Sequence, residues 1–243
     1  NVSSVSSPPS LSPDETSRTR SASRNDEKPN AIQKFQTFCS EDLGGFYLDI
    51  LKDRLYTSAE NSIERKSAQN AMWHITHSLL RLMSQALSFT TDQAWSIFSR
   101  DDKDSVLLHT WYEFPQIDED LLVKWDRLRL MRTVVQKKLE EIRSAGDIGS
   151  SLQAEVVVTA SGDDYDALSS LEDDLRYLFL TSSLELVKND AREFTAEVKK
   201  STHKKCERCW HYRPDVGAAL QHETICGRCI SNLSGGGEQR RHV

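Results

Sequence analysis

The 243-residue chain contains no apolar run near the ~20 residues needed to cross a bilayer, and it does not open on a secretory-signal pattern. A membrane-spanning or exported protein is therefore not expected. The reading is of a cytoplasmic chain with no membrane partner, in which the Asn1-Val2-Ser3 sequon is a chance match. An excess of positive charge is also missing: 31 Lys and Arg stand against 37 Asp and Glu, for a net charge of −6. A dedicated nonspecific DNA binder is usually basic, so DNA is not an expected partner. Any nucleic acid would have to be met by a local basic patch, since screening limits distant charges to about 10 Å. The chain also lacks a G-x-x-x-x-G-K-S/T loop, a G-x-G-x-x-G turn before a helix and a G-x-S-x-G elbow, and no catalytic constellation is evident. Hydrophobic residues make up 37%, low for a fully packed chain, so part of the length is expected to be unpacked. There is no starting Met, as in a piece of a longer protein.

Large apolar side chains are scarcest in residues 1–29, which are rich in Ser, Pro, Asp and Arg. Such a stretch cannot offset the entropy of ordering it and reads as disordered. From residue 30 to 145 the pattern is helical. Ile32, Phe35, Cys39, Phe46, Ile50 and Leu51 recur at near-helical spacing, with Gly44-Gly45 as a kink. Ala68 through Ala86 carry one apolar stripe. Thr90 and Gln93 form a capping-box signal for the next helix. After an acidic connector over 99–118, a long amphipathic helix is expected from Asp118 to about Arg143, with Leu121, Leu122, Trp125, Leu128, Met131, Val135, Leu139 and Ile142 inward and Gly146 as its stop. Residues 146–200 then switch to period two. Strands are expected at Leu152–Ala160, 178–187 and 192–199, with a helix from Asp164 to Tyr177. The whole is a mainly α chain: a helical bundle, a small α/β unit, then a cysteine module and tail over 201–243.

Cysteine is rare, and its placement is informative. Four of five cysteines form Cys206-x-x-Cys209 and, sixteen residues on, Cys226-x-x-Cys229. A two-residue gap lets both thiolates of one turn face a single ion. Two such turns supply the closed tetrahedral set that suits a structural zinc. Redox pairs or an iron–sulfur cluster are the other readings, and the usual cluster spacings differ. Gly227 is expected to supply a positive φ in its turn. Around the first pair, residues 199–213 hold six Lys or Arg against one Glu, a local +5 that a zinc with four thiolates lowers by only two. Trp210 follows Cys209 directly. Beside Arg208 on a rigid turn it is either a base-stacking platform, worth roughly 1–3 kcal/mol per base, or a ring packed on the ribbon. His74 and His77 read as helix-surface or core side chains, Cys39 as a buried small hydrophobe, and Asp101, Asp102 and Asp104 as a solvated loop.

Three stretches carry a family likeness. FCSEDLGGFYLDILKDRLYT (38–57), SFTTDQAW (88–95) with WYEFP (111–115), and KCERCWHYRPDVG (205–217) with HETICGRCISNL (222–233) together resemble the C-terminal part of bacterial-type isoleucyl-tRNA synthetases, over about residues 30–243. The resemblance implies a helical anticodon-binding domain and a C-terminal zinc module that hold the anticodon stem-loop of isoleucine tRNA. It makes Cys206, Cys209, Cys226 and Cys229 the zinc ligands and places Arg208 and Trp210 on the anticodon-facing turn. It also implies an enzyme that attaches isoleucine to tRNA with ATP and edits misacylated valine, both through other domains. The signatures H-I-G-H and K-M-S-K-S are absent, so this chain alone is expected to be inactive. Residues 1–29 have no counterpart in the family. The rival readings are a freestanding zinc-ribbon RNA-binding protein and a DNA-repair glycosylase. The glycosylase wants an N-terminal amine nucleophile, commonly Pro, on an ordered domain, which Asn1 does not provide.

Overall fold

The computed structural model describes residues 31–114, 116, 118–190 and 194–242. The expectation for residues 1–29 lies outside them. The chain divides into two compact units, 1–49 and 50–243. In the first, helix α1 covers residues 31–37 and passes into a wide, π-type helix over Phe38–Leu48. Gly44-Gly45 does not break it. A Cβ added at Gly44 would lie 3.1 Å from the Cys39 carbonyl, and one at Gly45 3.2 Å from that of Ser40, each five residues back. The glycines therefore admit the wide winding instead of a kink. Cys39 is half-buried, not buried as expected.

The second unit takes in most of α2 (Asp49–Thr57), followed by α3 (Ile63–Met83), α4 (Ser88–Ser99) and α5 (Glu119–Ser144). Ser62 caps α3 by accepting from the Arg65 amide at 3.2 Å, and Asp118 caps α5 by accepting from the Leu121 amide at 3.1 Å. The capping box at Thr90 and Gln93 does not form. Helix α4 starts three residues earlier, with Leu87 at its cap position, and Thr91 bonds back to the Leu87 carbonyl instead. Along α3 only Ala68 is fully buried. The seam between α3 and α4 is aromatic: His77 lies 5.0 Å from Trp95 and 4.8 Å from Tyr112, and His74 Nδ1 meets the Tyr112 hydroxyl. Asp104 is not simply solvated. It accepts from Trp95 Nε1 at 2.9 Å and faces His109 Nε2 at 2.8 Å.

In α5, Leu128, Met131, Val135 and Leu139 are buried as the period predicts, but Leu121 and Leu122 in its first turn are exposed. Arg132 joins the buried face, its Nε donating to the Leu178 carbonyl at 2.8 Å. Helix α5 packs on a three-stranded sheet unit made of β1 (Ala154–Ala160), β2 (Ser183–Lys188) and β3 (Thr195–Lys200), in order β2-β1-β3. Central β1 runs parallel to β2 and antiparallel to β3. Its alternate residues Ala154, Val156, Val158 and Ala160 are buried. The single helix expected over Asp164–Tyr177 is two, α6 (Gly162–Ser169) and α7 (Leu175–Phe179), separated where Glu172 takes a φ of +49°. Helix α7 also occupies the first residues of the strand expected at 178–187. The chain closes with a small hairpin, β4 (Lys204–Lys205) and β5 (Tyr212–Arg213), and helix α8 (Gly227–Ser234). No described helix is long and apolar enough to cross a membrane.

Candidate metal centre and its basic turn

The cysteine spacing becomes a single cluster in space. The ligand sulfurs of Cys206, Cys209, Cys226 and Cys229 all lie within 4.8 Å of one another. Cys206 and Cys229 sulfurs are 3.7 Å apart, and those of Cys209 and Cys226 3.8 Å. Sulfurs placed 2.3 Å from a tetrahedral zinc would be separated by about 3.8 Å, so the donor set has the size of that ion. All four side chains are buried and form, with Val216 and Ile225, the whole local core. The Cys226 amide donates to the Cys206 sulfur at 3.3 Å. The hydrogen bond with Cys226 pushes the Cys209 thiol strongly upward, while those from Cys209 and Cys229 pull Cys226 strongly downward. Four buried thiolates need a dication to coexist.

Backbone contacts shape the first turn. The Trp210 amide donates to the Cys206 carbonyl at 2.9 Å, and the Cys206 amide to that of His211 at 2.9 Å. The positive φ falls on Trp210, at +65°, and not on Gly227. Gly227 instead leaves room for a side chain. Its amide donates to Asp215 Oδ2 at 2.9 Å, and a Cβ there would approach that oxygen to 3.0 Å. The Trp210 ring is 59% exposed, with Lys205 Nζ 5.2 Å from its centroid. Lys204, its neighbour on β4, is also exposed. The packed alternative for Trp210 is thus not what the fold adopts.

Arg208 reaches back to helix α2. Its guanidinium donates to the Thr57 carbonyl at 2.7 Å and the Tyr56 carbonyl at 3.4 Å, at the end of α2. The second turn sends Arg228 to the same helix, paired in a fork with Asp53 at 2.7 and 2.8 Å. Arg240, from the tail, reaches Asp53 at 2.6 Å and lies 3.6 Å over the Tyr177 ring. Burial alone would raise the Asp53 carboxyl. The hydrogen bonds from Arg228 and His211 and the charges of Arg228 and Arg240 outweigh it and hold the group well below the usual range. Burial pushes the His211 imidazole below its usual range despite the nearby Asp53 carboxylate. This network has no signature in the sequence. Its partners are separated by well over one hundred residues, and no local pattern marks a charge that will be buried.

Comparison with known proteins matches residues 23–158, more than half of the chain, to the family described as the anticodon-binding domain of tRNA ligase. The chain belongs to that family. Residues 204–232 also match the zinc finger found in FPG and IleRS, which covers all four cysteines. Among curated relatives, isoleucine–tRNA ligase of Janthinobacterium sp. (strain Marseille) is 54% identical over 216 residues, 86% of this chain and 22% of the relative. That of Paraburkholderia xenovorans is 56% identical over 212 residues, 86% of this chain and 22% of the relative. That of Nitrosomonas europaea is 52% identical over 218 residues, 87% and 23% respectively. The chain therefore spans under a quarter of the length of the relatives it matches. The joint presence of a tRNA-ligase anticodon-binding domain and this zinc finger favours the synthetase reading over a freestanding zinc-ribbon protein.

Proposed function

We propose that the chain is the C-terminal tRNA-reading part of an isoleucine–tRNA ligase, holding the anticodon stem-loop of isoleucine tRNA with a helical domain and a structural zinc module. The observation that carries this reading is Trp210: an exposed residue on the turn of a four-cysteine site, with the Lys205 ammonium over its ring. An unpaired loop base stacks on the ring, while Lys204 and Lys205 meet the adjoining phosphates. Zinc makes the turn rigid, so little ordering entropy is lost when RNA binds. Arg208, spent on helix α2, supports the turn more than it offers a free cation. The parent enzyme would join isoleucine to its tRNA with ATP through domains other than this one, in the cytoplasm, and this chain alone would neither activate nor edit.

Binding of the purified, zinc-loaded chain to an isoleucine-tRNA anticodon stem-loop tests the reading, with a stem-loop of unrelated anticodon as competitor. Preference for the isoleucine loop is expected. Equal affinity for both would reduce the surface to a nonspecific RNA patch.

A further inference from the structure

Arg208 and Arg228 occupy the same position in their turns, each directly before the second cysteine of its pair. Both guanidiniums reach the last turn of α2. Arg208 takes the carbonyls of Tyr56 and Thr57, which at a helix end lack intrahelical donors. Arg228 forks onto Asp53 and also donates to Thr57 Oγ1 at 3.2 Å, while that hydroxyl donates to the Asp53 carbonyl at 2.6 Å. Positive charge at this end also suits the helix dipole. The Arg228 side chain is 7% exposed and Asp53 10%, so the pair has little water to fall back on. The backbone that aims each arginine is itself pinned by two sulfurs converging on one point.

We propose that Arg208 and Arg228 are positioning residues that couple metal occupancy to the end of α2, so that zinc orders a helix to which it is not bound. Loss of the ion frees both turns, withdraws both guanidiniums and leaves Asp53 facing Arg240 and His211 without its bidentate partner. The coupling is reciprocal: whatever loosens the end of α2 weakens the grip on the metal. This inference stands apart from RNA recognition, since neither partner in it is a base contact.

Two measurements on the full chain decide it. Amide hydrogen exchange in the peptide 49–57 is followed with zinc bound and after chelation. Exchange about fivefold or more faster without zinc is expected, in line with typical coupling strengths. Arg208→Gln should accelerate the same peptide while one zinc per chain is retained. Asp53→Asn, which removes no sulfur, should release zinc to a colorimetric chelator about fivefold faster. If chelation accelerates only residues 204–232 and leaves 49–57 protected, or if Asp53→Asn releases zinc at the parent rate, the coupling is refuted. Should Asp53→Asn fail to fold, Arg208→Gln carries the test, because Arg208 lies at the half-buried edge of the contact. Unchanged exchange in that variant refutes the proposal by itself.

Discussion

Replacing Trp210 by Ala and, separately, by Gly separates what this residue does for RNA from what it does to the fold. Its φ of +65° lies in the left-handed region, which costs a non-glycine residue roughly 1–2 kcal/mol. Both substitutions delete the ring, so on the proposed stacking both should lose roughly 1–3 kcal/mol of binding. At 1.4 kcal/mol per decade that is a fall in affinity of about 5- to 150-fold for the isoleucine anticodon stem-loop. The two differ in strain. Ala keeps a Cβ in the unfavourable region and Gly does not, although Gly gives back part of the gain as freedom in the unfolded chain. The Gly variant should be the more stable by about 1 kcal/mol. Fluorescence anisotropy with a labelled stem-loop reads the affinity, and urea denaturation of zinc-loaded protein reads the stability. Equal, large losses of affinity with Gly above Ala in stability are expected. Unchanged affinity in both variants would remove the stacking role. Equal stability would show that the turn carries no strain at this position.

Other outcomes follow from the same geometry. Asp53→Asn leaves Arg228 and Arg240 short of a buried counter-charge and should cost about 3 kcal/mol in denaturation, the low end for breaking a buried pair because Glu238 and Asp174 remain near. Because the Asp53 carboxyl is depressed in the fold, its contribution is complete above about pH 4 and is lost as acid protonates it. A parent chain with an acid limb no steeper than that of Asp53→Asn would contradict this. His77 is depressed by burial, then by Arg81, His109 and His74, so its neutral form favours the fold, and stability should fall as pH drops below about 6.5. His77→Gln should flatten that part of the stability profile, and an unaltered slope between about pH 5 and 6.5 would rule the residue out. Changing Lys204 and Lys205 to Gln should weaken RNA binding and reduce its salt slope by about 0.7 for each phosphate left without a cation. An unchanged slope would place the phosphates elsewhere.

The cysteine spacing and the helical period are enough to foresee the four-cysteine cluster and most helices, because both depend on local pattern. Asp118 as a cap and the buried stripe from Leu128 to Leu139 are local in that sense. Several features depend on distant partners and are not legible in the sequence. Arg132 enters the core because the Leu178 carbonyl awaits it, and Asp104 turns inward to the Trp95 indole. Arg208 caps the end of α2, a contact that spans 151 residues. The positive φ falls on Trp210 instead of Gly227 for a different reason. The first turn needs a left-handed residue directly after its second cysteine, while the second turn runs straight into α8 from Cys226 and needs only room for Asp215.

In the proposed function, one zinc gripped by four thiolates holds an aromatic basic turn ready for the anticodon loop. The most direct measurement is the affinity of the isoleucine-tRNA anticodon stem-loop for the same preparation before chelation, after it, and after one equivalent of zinc is restored. Binding should be present, fall by about tenfold or more as the stacking platform loosens, and return with the metal. Undiminished binding by the metal-free chain would contradict the account.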